Sequence, residues 1–430
     1  MTQTGRVDDA ELRSRALEVL LNNHRDGYTL PAPGLYPFQW CWDSGPIALG
    51  WAAAGRWDEA WSELHRLFSA QWASGMVPHI VFWVDSDRYF PGPEVWGTAH
   101  TPQTTGLTQP PLPVSAAARL YAGDPDRTRA REALGSLWPR LVAWLSWIER
   151  ARTGPHGAVV VVHPWESGMD NSPAWDEPLG AVSQAVDIPL ARRDVETVAA
   201  NERPSQLEYG KYLGIVRRLR TAGWDTERQP ADSPFAVEDP CFTAITARAA
   251  ADLVEVAHLA EDEGVAGFDG SEPERLAKST MGGLEGLWDD ELGWYRPYDL
   301  RSGRPVGGAA SPGLVAPWAG VAQARVARIV ERLDAWSRLL PVAVPTAEPT
   351  SPGYDPIRYW RGPVWVLVNW LVADGLCRAG LTGRAEALRG GTRALVEHGF
   401  SEYYDPRDGH GIGGSGFSWS AALTLAWLTA

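Results

Sequence analysis

Two carboxylates share the stretch 165–173, which reads Trp165-Glu166-Ser167-Gly168-Met169-Asp170-Asn171-Ser172-Pro173. It follows a β-prone run, 158–162, and precedes a region without strong periodicity. Acids set among an indole, a methionine and turn residues do not help a core, and they do not form a solvated helix face. Two readings are open. In one, Asp170 or Asn171 closes a turn by bonding its own backbone. In the other, a carboxylic acid sits in a partly apolar cleft with its pKa raised, so that it donates a proton.

Other loops carry groups of matching chemistry. In Tyr36-Pro37-Phe38-Gln39-Trp40-Cys41-Trp42-Asp43-Ser44, Asp43 or Ser44 fits a helix N-cap. The same Asp43 carboxylate suits two sugar hydroxyls, with Trp40 and Trp42 as walls. Tyr89 and His79 lie in long loops, and Gln109 stands rigidly before two prolines. His79 is read first as a structural histidine. Arg203 precedes a helix start, where it serves a surface ion pair or forks a ligand carboxylate. The helix N-terminus adds a dipole that favours an anion, and Tyr209 offers a hydroxyl. Tyr359-Trp360-Arg361-Gly362-Pro363-Val364-Trp365 opens another helix, with Pro363 in its first turn. Ser401-Glu402-Tyr403-Tyr404-Asp405-Pro406 reads as a loop with a further acid among aromatics, and Trp419 follows at the start of the last helix.

The elements that must position these loops are helical. Apolar residues recur at helical spacing over 9–24, 46–54, 57–72, 113–122, 127–150, 205–221, 240–261, 274–286, 318–336, 363–378, 383–397 and 418–428. One β-like piece spans 294–298. Twelve helices with alternating short and long connections predict an all-α fold, an (α/α)6 toroid. The expected unit is a single domain over 1–430, with loop or lid insertions at about 73–112 and 151–204. An α-solenoid is the other arrangement considered, but no fixed repeat period supports it.

Composition narrows the partners. The 430 residues are 44% hydrophobic and 21% charged, an ordinary globular balance. A net charge of −14 argues against a nucleic-acid or anionic membrane surface as main partner. It leaves room for a small anionic substrate beside one buried arginine. Residues 1–7 show no basic segment leading into an apolar run, and no stretch is long enough to span a bilayer, so a cytoplasmic protein is expected. Cys41, Cys241 and Cys377 follow no metal or redox spacing and are expected free and buried. No metal or cofactor is called for, and a homo-oligomer stays open. The 23 tryptophans are more than a core needs; many stand in Gly/Pro-bounded loops, where indole faces suit sugar rings.

Together the motifs 39–44, 165–172, 359–365 and 402–406, in this order, resemble bacterial members of glycoside hydrolase family 63, within the trehalase-like (α/α)6 glycosidases. The resemblance runs from about Tyr36 to the C-terminus. The chain is expected to be without the extra N-terminal β-domain of larger members, and in that compactness it looks like the mannosylglycerate and glucosylglycerate hydrolases. The resemblance implies an inverting α-glycosidase releasing a hexose and D-glycerate, with Asp170 as general acid and Glu402 as general base. An inverting pair needs room for a water, a carboxyl separation of roughly 6.5–9.5 Å. It further implies that Tyr36, Trp40, Trp42 and Asp43 hold the sugar, and that Tyr89, Gln109, Arg203, Tyr209, Tyr359 and Trp360 face the glycerate. Cys41, Gly168, Gly362, Trp365 and Trp419 complete the expected substrate-binding set. Glu166 is expected to orient the turn rather than react.

Three other functions stay in view: a neutral-disaccharide α-glucosidase or trehalase with the same pair, a non-catalytic sugar-binding protein, and a sugar epimerase or isomerase. The last needs histidine acid/base pairs, for which His79, His163, His398 and His410 are available. Mannose and glucose differ in one hydroxyl orientation, which the sequence does not resolve.

Overall fold

A computed structural model describes residues 7–340 and 342–430. The first six residues of the expected 1–430 unit, and position 341, lie outside the described residues. The fold is mostly helical, with a few small strands. We number the main helices α1 Asp9–Asn23, α2 Cys41–Ala53, α3 Trp57–Ser69, α4 Leu112–Gly123, α5 Arg127–Arg152 and α6 Gln206–Thr221. They continue as α7 Pro240–Asp262, α8 Ser271–Glu285, α9 Gln323–Ser337, α10 Val366–Arg378, α11 Thr382–Val396 and α12 Ser418–Leu423. The last runs on into a π-helical turn, Thr424–Leu428.

Burial divides these helices into two classes. Along α2, α4, α7 and α10 almost every residue of the N-terminal half is buried, whatever its position on the helix. Helices apolar all round must be enclosed by others. By contrast, α1 buries only Leu12, Ala16, Leu20 and Asn23, and α9 only Val326, Ile329, Val330 and Trp336. Their single apolar stripes face inward. The enclosed elements touch one another in a closed cycle: α2, α4, α7, the 3-10 turn Ala316–Ala319, α10, α12 and back to α2. Backbone approach within the cycle is close. A Cβ at Gly50 would come within 2.5 Å of Ala422, so α2 and α12 meet there only because position 50 has no side chain.

Capping explains several starts. Asp8 accepts from the Ala10 amide, Asp126 from Thr128 and Arg129, and Ser205 with Glu208 forms a capping box. Other boundaries differ from the sequence expectation. The second helix begins at Cys41, not near 46, because the short strand Gln39–Trp40 runs straight into it and Trp40 is the N-cap residue. Asp43 and Ser44 therefore lie in the first turn and cap nothing. The expected 318–336 helix is two elements, Ala316–Ala319 and α9, separated at Gly320 with φ +87°. The first of these fills the remaining place in the inner cycle; α6 forms where expected and brings Tyr209 to the cleft. Residues 401–406, expected as a loop, open a hairpin in which Ser401–Tyr404 pairs with Gly411–Ser415 across a bulge. Cys377 is exposed at the end of α10, where the sequence reading had it buried. The β-like piece near 294 is present as Trp294–Tyr295, paired with Trp288–Asp289.

Candidate active site

A cleft opens among the loops that join the elements of the inner cycle. Its wall draws on segments 31–43, 79–109, 165–209, 359–365 and 402–419. Of the sequence candidates, Tyr36, Trp40, Trp42, Asp43, Tyr89, Gln109, Gly168, Asp170, Arg203, Tyr209, Tyr359, Trp360, Trp365, Glu402 and Trp419 all line it. Cys41 and Gly362 do not. Cys41 begins α2 with its thiol turned into the core, fully buried. Gly362 packs against the Asp355 carbonyl, where a Cβ would sit 2.5 Å away. Its part is to let two loops approach, not to touch a ligand.

The Asp170 turn is built from its neighbours. The 3-10 turn Pro164–Ser167 ends at Gly168, whose φ of +72° reverses the chain against the Trp42 ring. Glu166 is sealed behind this turn. Its carboxylate accepts from the Val162 amide at 2.8 Å, the Thr108 amide at 3.2 Å and Arg152 Nη2 at 3.3 Å. Asp170 is then left facing the cleft, half-buried. Among the described residues no side chain donates a hydrogen bond to its carboxyl; the Tyr212 hydroxyl bonds its backbone carbonyl instead, at 3.0 Å. Burial pushes its pKa up to about 7, against the pull of Arg203, with Glu402 and Asp194 adding to the rise.

Glu402 is surrounded by donors instead. It projects from the first hairpin strand and is 1% exposed. Tyr36 donates to Oε1 at 2.7 Å, Arg203 Nη1 reaches both oxygens at 3.2 Å, and the Gly414 amide donates to Oε2 at 3.0 Å. Arg203 also donates from Nη2 to the Tyr36 hydroxyl at 2.6 Å and from Nε to Asp194 at 3.3 Å. Its guanidinium lies 4.1 Å over the Tyr359 ring. Every nitrogen of Arg203 is thus engaged by the protein, which the expected carboxylate fork did not include.

Four other lining residues carry polar atoms that are buried without a partner among the described residues: Trp42 Nε1, Trp419 Nε1, His79 Nδ1 and Asp43 Oδ1. Orphaned polar groups cost about 1–3 kcal/mol each, and here they collect on the wall of one cleft. Burial, with Glu402 and Glu63 nearby, raises the Asp43 carboxyl well above its ordinary value. Aromatic rings complete the wall. Trp360 and Trp365 stack at 3.7 Å, and the Trp360 amide is held by Asn171 at 3.0 Å, which ties this loop to the Asp170 turn. Tyr359 adopts φ +46°, a left-handed conformation uncommon for a bulky residue. Its carbonyl accepts from Trp365 Nε1 at 2.9 Å. The Gln109 amide oxygen accepts from the Trp42 backbone amide at 3.1 Å, and the Tyr209 hydroxyl donates to the Phe90 carbonyl at 2.6 Å.

Sequence reasoning left out Pro31, Leu35, Phe90, Trp165, Asp194, Pro204 and Phe417 from the cleft, and read His79 as structural. Asp194 was signalled only by the preceding Arg192-Arg193 pair in an aperiodic stretch. The histidines do not assemble an acid/base pair. His163 is fully buried, held neutral by a pKa pushed down to about 3, and bonded to the Trp165 amide and the Tyr212 carbonyl. His398 and His410 line a separate surface hollow.

Comparison with known proteins identifies the family. The family model for the mannosylglycerate hydrolase MGH1-like glycoside hydrolase domain matches residues 36–420. The mannosylglycerate hydrolase of Thermus thermophilus is 45% identical over 420 residues, 96% of this chain and 99% of that one. The glucosylglycerate hydrolase of Mycolicibacterium hassiacum is 33% identical over 439 residues, 97% and 98% of the two chains. Among solved structures, a GH63 mannosylglycerate hydrolase from Thermus thermophilus in complex with Tris and D-glycerate aligns with a TM-score of 0.92 at 46% identity, over 97% of this chain and 99% of that one. The chain is a glycoside hydrolase and belongs to the family of mannosylglycerate hydrolase MGH1-like enzymes.

Proposed function

We propose that the protein is an inverting α-glycosidase that hydrolyses α-D-mannosyl-D-glycerate or α-D-glucosyl-D-glycerate to the hexose and D-glycerate. The closed helical cycle is read as an (α/α)6 toroid forming one catalytic domain, with the long loops as its wall and lid, and the enzyme acts in the cytoplasm. The observation that carries the reading is the contrast between two acids on one cleft. Asp170 is pushed up to about 7 and has no side-chain donor among the described residues, while Glu402 is met by four hydrogen bonds.

In the proposed reaction, the protonated Asp170 carboxyl gives its proton to the glycosidic oxygen as the bond to the anomeric carbon breaks. Glu402, as carboxylate, takes a proton from a water that attacks the anomeric carbon from the opposite face. The released sugar has the inverted anomeric configuration. Trp42, Trp419 and Asp43 offer two N–H donors and one carboxyl to hydroxyls that a hexose ring presents. Arg203 supplies the positive charge next to the glycerate carboxylate, and Tyr89, Tyr209, Tyr359 and Trp360 bound that end. The relatives' substrates support the choice of aglycone, since their names specify mannosyl- and glucosylglycerate.

The deciding experiment is hydrolysis of mannosylglycerate, glucosylglycerate and trehalose side by side, with the anomer of the first-formed sugar followed by NMR. Turnover of a glycosyl glycerate with inversion is expected. Retention of configuration would overturn the mechanism, and preference for trehalose would overturn the substrate class.

A further inference from the structure

Glu63 is a buried acid that the chemistry above does not use. It lies on α3 among Ala60, Leu64 and Leu67, all buried, and is itself 0% exposed. A carboxyl on an apolar helix face is costly unless its bonds return something. Its Oε1 accepts from Ser44 Oγ at 2.6 Å and from Gln39 Nε2 at 2.8 Å. The Gln39 amide also reaches the Glu63 carbonyl at 3.0 Å and Ser44 Oγ at 3.2 Å. The other side of Gln39 accepts from Trp83 Nε1 at 2.8 Å.

The placement of these bonds is what matters. Gln39 stands in the strand before α2, and Ser44 in the first turn of α2. Glu63 therefore holds both ends of the segment 39–44, and Trp40, Trp42 and Asp43 of the cleft wall lie between them. Ser44 has one hydroxyl hydrogen and two acceptors, Glu63 at 2.6 Å and the Trp40 carbonyl at 3.0 Å. Gln39 has two amide hydrogens for three acceptors. Glu63 Oε1 is the shared acceptor of both groups, and without it each has to find another arrangement.

We infer that Glu63 is a positioning residue for the hexose side of the cleft: its carboxyl fixes the segment 39–44 and thereby sets where Trp40, Trp42 and Asp43 meet the sugar. The inference rests on the glycosidase reading for the identity of the ligand. Burial pushes the Glu63 carboxyl up to about 7, so an amide, which keeps the Oε1 acceptor, is a close replacement.

The test is calorimetric binding of D-mannose, D-glucose and D-glycerate to the full chain, for wild type, Glu63→Ala, Glu63→Gln, Ser44→Ala and the double variant Glu63→Ala with Ser44→Ala. Glu63→Ala is expected to weaken hexose binding about tenfold, the size of a lost hydrogen bond, and to leave D-glycerate within about twofold. Glu63→Gln is expected to restore hexose binding to within about threefold. Ser44→Ala should weaken the hexose in the same direction and add nothing in the double variant with Glu63→Ala. Equal weakening of hexose and D-glycerate, or full additivity, overturns the inference. Should Glu63→Ala not fold, an unchanged hexose affinity in Ser44→Ala overturns it as well. Because binding is measured without turnover, a wild type that binds hexose but cleaves neither glycosyl glycerate sinks the substrate reading and leaves this inference to its own outcome.

Discussion

The Asp170 turn and the Glu402 hairpin present the same functional group to one cleft, and the protein treats the two oppositely. The turn spends its hydrogen bonds on its own frame. Glu166 accepts from the Val162 amide, and Ser167 Oγ donates to the Pro164 carbonyl and accepts from the Met169 amide, while among the described residues the Asp170 carboxyl receives no side-chain donor. The hairpin spends its bonds on the carboxylate itself, through Tyr36, Arg203 and the Gly414 amide. A carboxyl deprived of donors by burial holds its proton; one surrounded by donors and a cation favours its charge. Surroundings thus set the two carboxyls apart, because the side chains alone do not distinguish them; in the proposed reaction this contrast is what makes Asp170 the acid and Glu402 the base.

The largest expected effect removes either member. Asp170→Ala and Glu402→Ala should each lower kcat by about 10³-fold or more, with substrate binding retained by calorimetry. Normal turnover in either variant would falsify the pairing. The next effect dissolves the contrast by removing the cation. Arg203→Ala strips Glu402 and Asp194 of a buried partner, a change whose cost is about 3–5 kcal/mol for comparable pairs. A loss in kcat/KM of about 100-fold is expected, and the rise in KM should be much larger for glycosyl glycerates than for a neutral glycoside. An equal rise for both removes Arg203 from the glycerate carboxylate while leaving its tie to Glu402 in place.

The same contrast marks the limit of what the sequence disclosed. Periodicity located the long helices to within a few residues, since each carries an apolar stripe or an enclosed apolar run that a pattern detects. Residues 311–319 escaped as an inner element because short turns bounded by proline and a left-handed Gly320 have no helical period. The 401–415 hairpin escaped because its return strand is glycine-rich and lacks alternation. Among site residues, the motif order placed both acids, yet nothing in the chain shows that Arg203 and Glu402, 199 positions apart, are bonded. Burial is likewise a tertiary property: Cys41 and Gly362 sit inside the right motifs and face away from the cleft. Glu166 was distinguished from Asp170 only as an expectation, and its bonds to Val162, Thr108 and Arg152 supply the physical reason.

A pH series sharpens the comparison on the acid side. Because the Asp170 proton is lost near 7, kcat should fall about tenfold per pH unit above that value, if Asp170 is the donor. A profile flat to pH 9 would remove it from that role. Linkage gives an independent reading. The folded-state pKa is raised, so the native protein holds this proton between the ordinary carboxylate range and about 7, while the unfolded chain does not. The contribution of Asp170 to stability therefore declines as pH rises through that window. Asp170→Asn, which cannot titrate, should show a shallower fall in urea midpoint over the same range.

The smallest effects separate the two regions most finely, because they remove one hydroxyl each. Tyr36→Phe keeps the ring that meets Trp40 edge-on at 5.3 Å but removes the 2.7 Å donor to Glu402 and the acceptor for Arg203. One lost bond to a charged group is worth about 1.5–3 kcal/mol at most, and the remaining donors from Arg203 and Gly414 compensate in part. A fall in kcat of about tenfold is expected. Tyr212→Phe is the matching change on the other wall, removing a 3.0 Å bond to the Asp170 backbone carbonyl and none to its carboxyl. Its expected cost is about twofold to threefold in kcat, seen in steady-state assays at a pH below 7, where the acid is loaded. If Tyr212→Phe proves as damaging as Tyr36→Phe, the Asp170 turn depends on side-chain support as closely as the hairpin does, and the division between a bare acid and a buttressed base does not hold.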